Sequence, residues 1–289
     1  MGNDNYKPKP AWLRAPMHAG KSQLKTAGVV RRHGLATVCK EARCPNQSEC
    51  YGRGTAAFMI LGSNCTRNCT FCCVEKHAPD PVDPAEPGRI ADAVDELGLR
   101  YVVVTSVTRD DLADGGASHF AETVRAIRSR NDQVMIELLI PDFGGDWDAL
   151  ATVMESKPDV LNHNVETVAS LYPTVRPMAQ YRRSLELLSR ANGLADTTQT
   201  KSGFMLGLGE TDEQVMELLE DLRAAHCDAL AIGQYLAPSR NHHPVIEYVH
   251  PDTFDRYAQA AREMGFRHVS AGPLVRSSYH AEEIVGIRA

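Results

Sequence analysis

Seven cysteines, Cys39, Cys44, Cys50, Cys65, Cys69, Cys72 and Cys73, fall within 35 residues of a 289-residue chain, while an eighth, Cys227, stands alone. In a short secreted chain such crowding would announce a disulfide framework. Here the N-terminus has no apolar leader run, and 43% hydrophobic residues supply a core that needs no staples. Free thiols in a reducing, cytoplasmic compartment suit the chain better, and thiols so grouped serve as ligands for a metal or a cluster. The longest apolar stretch, Ala56 to Leu61, is far below the roughly 20 residues of a membrane helix. With 24% charged residues the composition is that of a globular protein and excludes disorder, collagen and coiled coil.

Charge is uneven. The net value is −6, yet residues 1–33 carry Lys7, Lys9, Arg14, Lys21, Lys25, Arg31 and Arg32 against Asp4 alone, giving +6 there and −12 in the remainder. A basic arm on an acidic body meets nucleic acid, an anionic membrane or an acidic protein, or simply wraps the domain as a solvated tail. Pro8, Pro10 and Pro16 break the amphipathic helix that a transit peptide would need.

Beyond the cysteines, short apolar and β-branched runs alternate with helical patterns. Strands are expected at Thr55–Leu61, Tyr101–Val107, Val134–Ile140, Asp159–His163, Lys201–Leu208 and Ala229–Leu236. Helices are expected at Gly88–Leu97, Ser118–Arg130, Asp146–Met154, Val165–Tyr172, Tyr181–Ala191, Asp212–Ala225 and Pro251–Met264. Thr211, with Asp212 and Glu213 in the first turn and Gln214 at the third position, marks a capped helix start. Near-continuous apolar strands imply a parallel sheet covered on both faces. Six β/α units predict an α/β fold, a partial (β/α)6 TIM-like barrel with N- and C-terminal extensions, with a doubly wound sheet as the alternative. The chain divides into an extension (1–54), the barrel (55–265) and a C-terminal segment (266–289). Pro79, Pro81, Pro84 and Pro87 form a stiff connector and mark no domain boundary.

Cys65, Cys69 and Cys72 follow the first expected strand through Gly62, Ser63 and Asn64. They therefore sit at a strand's C-terminal end, where parallel α/β folds build active sites. Structural zinc wants four ligands, commonly two close pairs. Three thiolates on one loop suit a 4Fe-4S cluster with one iron left open. This spacing, with Phe71 before the third cysteine, resembles the signature of the radical S-adenosylmethionine (radical SAM) superfamily. The resemblance implies that the open iron chelates the amino and carboxylate groups of S-adenosylmethionine, whose reductive cleavage yields a hydrogen-abstracting 5′-deoxyadenosyl radical. Cys73 points elsewhere on such a loop.

Cys39, Cys44 and Cys50, three more thiols close upstream, suggest a second cluster. Their run from Cys39 to Cys50 is similar to that of the lipoyl synthase family. So are Arg276-Ser277-Ser278-Tyr279-His280-Ala281, Val107 to Leu112, Asn162 to Thr167 and Gly207 to Thr211, so the resemblance spans nearly the whole chain. It implies an auxiliary 4Fe-4S cluster held by Cys39, Cys44, Cys50 and a serine of the C-terminal run, Ser278 by position rather than Ser277, with that cluster as sulfur donor. An alkoxide is a weak anchor for a soft-ligand iron and suits a cluster that is consumed. The implied activity is that of a sulfurtransferase in lipoate biosynthesis and protein lipoylation. Two sulfur atoms enter an octanoyl chain on a lysine of a lipoyl carrier domain, and two S-adenosylmethionine molecules are consumed. Implied partners are the carrier domains of 2-oxoacid dehydrogenase E2 subunits and the glycine cleavage H protein, an electron donor, and an iron-sulfur carrier that rebuilds the cluster; neither nucleic acid nor membrane is expected.

Asn164 and Glu166, past the fourth expected strand, are placed to bond the ribose or methionine of S-adenosylmethionine, although Glu166 also reads as a first-turn helix acid. Gly207 and Gly209 would let backbone approach the same ligand, and Phe71 stands beside the third thiolate. Arg109, Asp110 and Asp111 read as an active-site loop or a helix cap. His242 and His243 read as solvated loop residues, Cys227 as a small buried hydrophobe, and Asp142 to Asp146 as a turn. Two rivals remain: another two-cluster radical SAM sulfur-inserting enzyme, and a zinc or nucleic-acid-binding module on an inert barrel.

Overall fold

The computed structural model describes residues 8–14, 20–195 and 197–285; the rest of the basic arm, Lys7 included, lies outside them. The N-terminal extension forms a 3-10 turn (Ala11–Leu13), α1 (Lys21–Arg32), β1 (Ala36–Thr37), α2 (Val38–Glu41) and α3 (Gln47–Gly52). There follow β2 (Ala57–Ile60), α4 (Glu86–Leu97), β3 (Tyr101–Ser106), α5 (Ala117–Arg130), β4 (Met135–Leu139), α6 (Trp147–Glu155) and β5 (Val160–Asn162). The second half comprises α7 (Tyr172–Val175), α8 (Tyr181–Leu194), β6 (Gln199–Leu206), α9 (Asp212–Ala224), β7 (Ala229–Gln234), α10 (Pro251–Glu263) and β8 (His268–Gly272).

The strands pair in sequence order from β1 to β8, antiparallel between β1 and β2 and parallel everywhere else. A doubly wound sheet reverses its order at a switch point; this order never reverses. The sheet is a barrel left open, since among the described residues no pairing joins β8 back to β1. Six expected strands become seven parallel ones plus β1. The extra parallel strand, β8, reads His-Val-Ser-Ala-Gly, is only half-buried, and lacks the apolar run that betrays the others. The expected helix over Val165–Tyr172 is also corrected. Glu166 takes a positive φ of 67° and bridges to Phe204 of β6, so the chain stays extended there and turns helical only from Ala169. Thr211 caps α9 as expected, its hydroxyl accepting from the Gln214 amide while the Gln214 carboxamide accepts from the Thr211 amide.

Outward-facing strand residues meet the helices. Phe58, Ile60, Ile136 and Leu138 pack with Ile90, Phe120 and Leu150 in the first half, and Leu206 and Ile232 with Leu219, Leu222 and Phe254 in the second. Each such side chain contributes about 1.5–3 kcal/mol by burial. The inner face is mixed, with Met59, Val103 and Leu139 beside a polar cluster. Glu137 of β4, wholly buried, accepts both hydrogen bonds of Lys201 from β6 at 3.0 Å, one from Tyr101 of β3 at 2.6 Å and one from Asn162 of β5 at 2.7 Å. Four strands thus send side chains to one point in the lumen. Among the described residues no helix is long and apolar enough to cross a membrane.

Candidate functional site

The loop that leaves β2 carries Cys65, Cys69 and Cys72, and it is tied down from several sides. Arg67, between the first two cysteines, bonds Asp110 through Nε and Nη2 at 2.8 Å each and Asp142 at 2.6 Å, so loops following β3 and β4 both hold it. Burial pushes the Asp142 carboxyl up, but the Arg67 guanidinium outweighs it and holds the group at about 2. The Thr108 amide donates to the Cys65 sulfur at 3.4 Å. Thr70 is bonded by backbone to Val175 and His243, and His242 Nε2 lies 3.2 Å from the Cys72 carbonyl. The adjacent histidines, expected to be merely solvated, strap this loop. Arg109 turns inward to Asp111 and the Leu61 carbonyl, so the Arg109–Asp111 run braces the cysteine loop from behind.

The first trio sits at the other end of β2. Cys39 lies on α2, Cys44 follows it with its amide on the Cys39 carbonyl, and Cys50 lies on α3 with its carbonyl accepting from the Thr55 amide, just before the strand. The extension is pinned by Thr26 of α1, whose hydroxyl donates to the Tyr51 carbonyl at 2.9 Å. The C-terminal run then closes over the trio. Asn46 donates to the Leu274 carbonyl at 2.6 Å, Tyr279 donates to Glu49 at 2.9 Å, and Arg53 pairs with Glu282 at 2.6 Å. Gly233 of β7 permits that approach, because a Cβ there would stand 2.2 Å from the Val275 carbonyl oxygen.

A single cavity of about 990 Å³ runs between the two trios and is lined by all six thiols. β2 stands between the two trios. Phe71, Asn164 and Glu166 line the cavity, and so do Ser277 and Ser278. Gly207 and Gly209 do not. Their amides, with that of Leu208, donate to the Glu210 carboxylate, and a Cβ on Gly207 would meet Gln234 and the Glu247 carbonyl at 2.3 Å. These glycines shape a self-capped turn. Cys73 also lines the cavity, and Cys227 is a buried small residue as expected.

Arg176 is the residue that the sequence conceals. It is buried at the edge of the second trio, its Nη1 bonding the carbonyls of Asn164 and Val165 and the Tyr172 hydroxyl, while its Nε has no partner. Only the oddity of an arginine between Val175 and Pro177 hints at it. Beside it, burial raises the Glu166 carboxyl, opposed by Arg176 and the Asn164 amide.

The donor sets fit iron-sulfur clusters. Burial drives the Cys39 thiol up to about 11, and burial plus charge on Cys39 and Cys44 drives Cys50 to about 12. Burial plus charge on Cys69 and Cys65 likewise drives Cys72 to about 12. Each trio is close enough for its sulfurs to repel one another, and such thiols become thiolates only beside strong positive charge. Three thiols in each trio are the number a 4Fe-4S cluster takes when one iron is left to another ligand.

Comparison with known proteins gives the family and the fold. A family profile described as the radical SAM superfamily matches residues 59–222. The chain is 52% identical over 279 residues to a lipoyl synthase of Alkaliphilus metalliredigens, covering 96% of each chain. It is 54% identical to a lipoyl synthase of Caldicellulosiruptor saccharolyticus, covering 96% of this chain and 98% of that one. Among solved structures, Streptococcus suis SuiB bound to precursor peptide SuiA superposes with a TM-score of 0.58 at 12% identity, over 86% of this chain and 52% of SuiB. HydG, a maturase of the [FeFe]-hydrogenase, gives 0.57 at 14% identity, over 78% of this chain and 58% of HydG. At such identities these two show a shared fold.

Proposed function

Because the chain belongs to the lipoyl synthase family of the radical SAM superfamily, we propose that its cavity receives an octanoyl chain and presents it to two clusters in turn. Cys65, Cys69 and Cys72 hold the cluster that binds S-adenosylmethionine; Cys39, Cys44, Cys50 and Ser278 hold the auxiliary one. When bound, the cluster at Cys65, Cys69 and Cys72 together with S-adenosylmethionine would supply a hydrogen-abstracting radical, and the auxiliary cluster would supply sulfur for two carbon–sulfur bonds. The observation that carries this reading is that both trios line one cavity.

The chain's own residues then take simple roles. Asn164 and Glu166 bond the amino and ribose groups of S-adenosylmethionine, and the unpartnered Nε of buried Arg176 faces its carboxylate. Arg67 fixes the loop so that the three sulfurs keep one geometry. Ser278 lines the cavity together with Cys39, Cys44 and Cys50, so its oxygen is the fourth donor on that side. Apolar walls from Val38, Met59, Val103, Val107 and Leu139 accept a fatty chain and exclude water. The substrate enters as octanoyl-lysine on a lipoyl carrier domain, such as that of a 2-oxoacid dehydrogenase E2 subunit or the glycine cleavage H protein. Anaerobic reconstitution should give a brown protein with about eight irons, four per cluster. Mass measurement of an octanoyl-lysyl carrier peptide should then show two sulfurs gained. An unchanged peptide in the presence of S-adenosylmethionine cleavage would favour a different sulfur-inserting or thioether-forming radical enzyme.

A further inference from the structure

Ser277 has no role in the reading above, yet it is the best-connected hydroxyl in the cavity. Asn162, wholly buried, uses both hydrogens of its Nδ2, one toward Glu137 Oε1 and one toward Ser277 Oγ, each at 2.7 Å. Ser277 Oγ donates in turn to Asn164 Oδ1 at 2.9 Å, and Asn164 Nδ2 donates to Glu166 Oε1 at 3.1 Å. The direction is fixed by chemistry, since an amide nitrogen only donates and an amide oxygen only accepts. The head-to-tail run therefore starts at Asn162, passes through Ser277 of the C-terminal run and ends on a carboxylate beside the second trio, while the other Asn162 hydrogen anchors it to the Glu137–Lys201 pair in the lumen. Bonds aligned head to tail polarise one another, so each link depends on its neighbours. Gly203 keeps space for it: a Cβ there would stand 2.9 Å from Asn164 Oδ1. Ser277 thus accepts one bond and donates another.

We propose that Ser277 is a positioning residue shared by the two cluster sites: its hydroxyl clamps the C-terminal run, and with it Ser278, and aligns Asn164 and Glu166 for S-adenosylmethionine. The proposal rests on the assignment of the trios made above. It is tested on the full, anaerobically reconstituted chain by equilibrium binding of S-adenosylmethionine, without turnover, together with iron content and Mössbauer spectra. Ser277→Ala should weaken binding about fivefold, the loss expected for one net hydrogen bond, and should reduce retention of the auxiliary cluster's serine-bound iron. Ser278→Ala should lose that iron with binding unchanged. Ser277→Thr, which keeps the hydroxyl, should bind like wild type, and Ser277→Val, its isostere without one, should behave like Ser277→Ala. That pair decides the matter if Ser277→Ala does not fold. Wild-type binding by Ser277→Val, or equal weakening by the Thr and Val variants, would overturn the proposal. A Cys65→Ala chain that binds S-adenosylmethionine normally would instead overturn the trio assignment itself.

Discussion

Single residues carry two kinds of burden in this molecule, and their titration and truncation separate them. His163 is buried between the Ile140 carbonyl and the Ser184 hydroxyl, and burial, reinforced by the Arg176 charge, lowers it from 6.5 to about 4. The unfolded chain therefore takes up its proton first. Its stabilising contribution is complete above about pH 6.5 and is lost as the pH falls through about 4. Denaturant melts of wild type and His163→Gln should differ most near neutrality and converge at the acid end; a constant difference across that window would contradict the assignment. The Glu137–Lys201 pair behaves differently. Lys201→Met leaves a buried carboxylate alone and should cost about 3–5 kcal/mol, with much of the loss recovered in the Lys201→Met, Glu137→Gln double variant. The cysteines were legible in the sequence because ligand spacing is local. Arg176, Asn162 and Lys201 were not, because a lysine in an apolar strand makes sense only beside Glu137, which arrives from a different strand.

At the level of elements, the sequence pattern identified the strands whose two faces are both covered and missed those that are not. β8 is half-exposed, and β1 is two residues long. The false helix at Val165–Tyr172 arose because its apolar spacing suits a helix while the bridge from Glu166 to β6 overrides it. Gly233 tests how the elements assemble the site. A Cβ would collide with the Val275 carbonyl, so Gly233→Ala should displace the C-terminal run, cost about 1–3 kcal/mol, and roughly halve iron content while the cluster near Phe71 persists. Full iron content in that variant would show that the run is not part of the first site. Gly207 and Gly209 show a different ambiguity: a glycine pair after a strand suggests a ligand loop, while here the Glu210 carboxylate accepts from their amides.

For the molecule as a whole, the open barrel gives one cavity two chemically distinct ends, and the extensions supply the end that a plain barrel lacks. The N-terminal extension was legible as a cysteine-bearing segment, but the closure of the cavity by residues 274–282 depends on contacts spanning more than 200 positions, such as Asn46 with Leu274. Charge adds a docking hypothesis: Lys9, Arg43 and Arg100 stand exposed around the cavity near the first trio, continuing the basic character of residues 1–33. Carrier domains with acidic surfaces should therefore bind more weakly as salt rises and after deletion of residues 1–25; affinity indifferent to both would remove the arm from the docking surface. The division of labour between the trios is tested most directly by Cys39→Ala, reconstituted and given S-adenosylmethionine, reductant and an octanoyl-lysyl peptide. The expected result is continued release of 5′-deoxyadenosine with no sulfur added to the peptide mass; loss of S-adenosylmethionine cleavage, or a peptide carrying two new sulfurs, would contradict it.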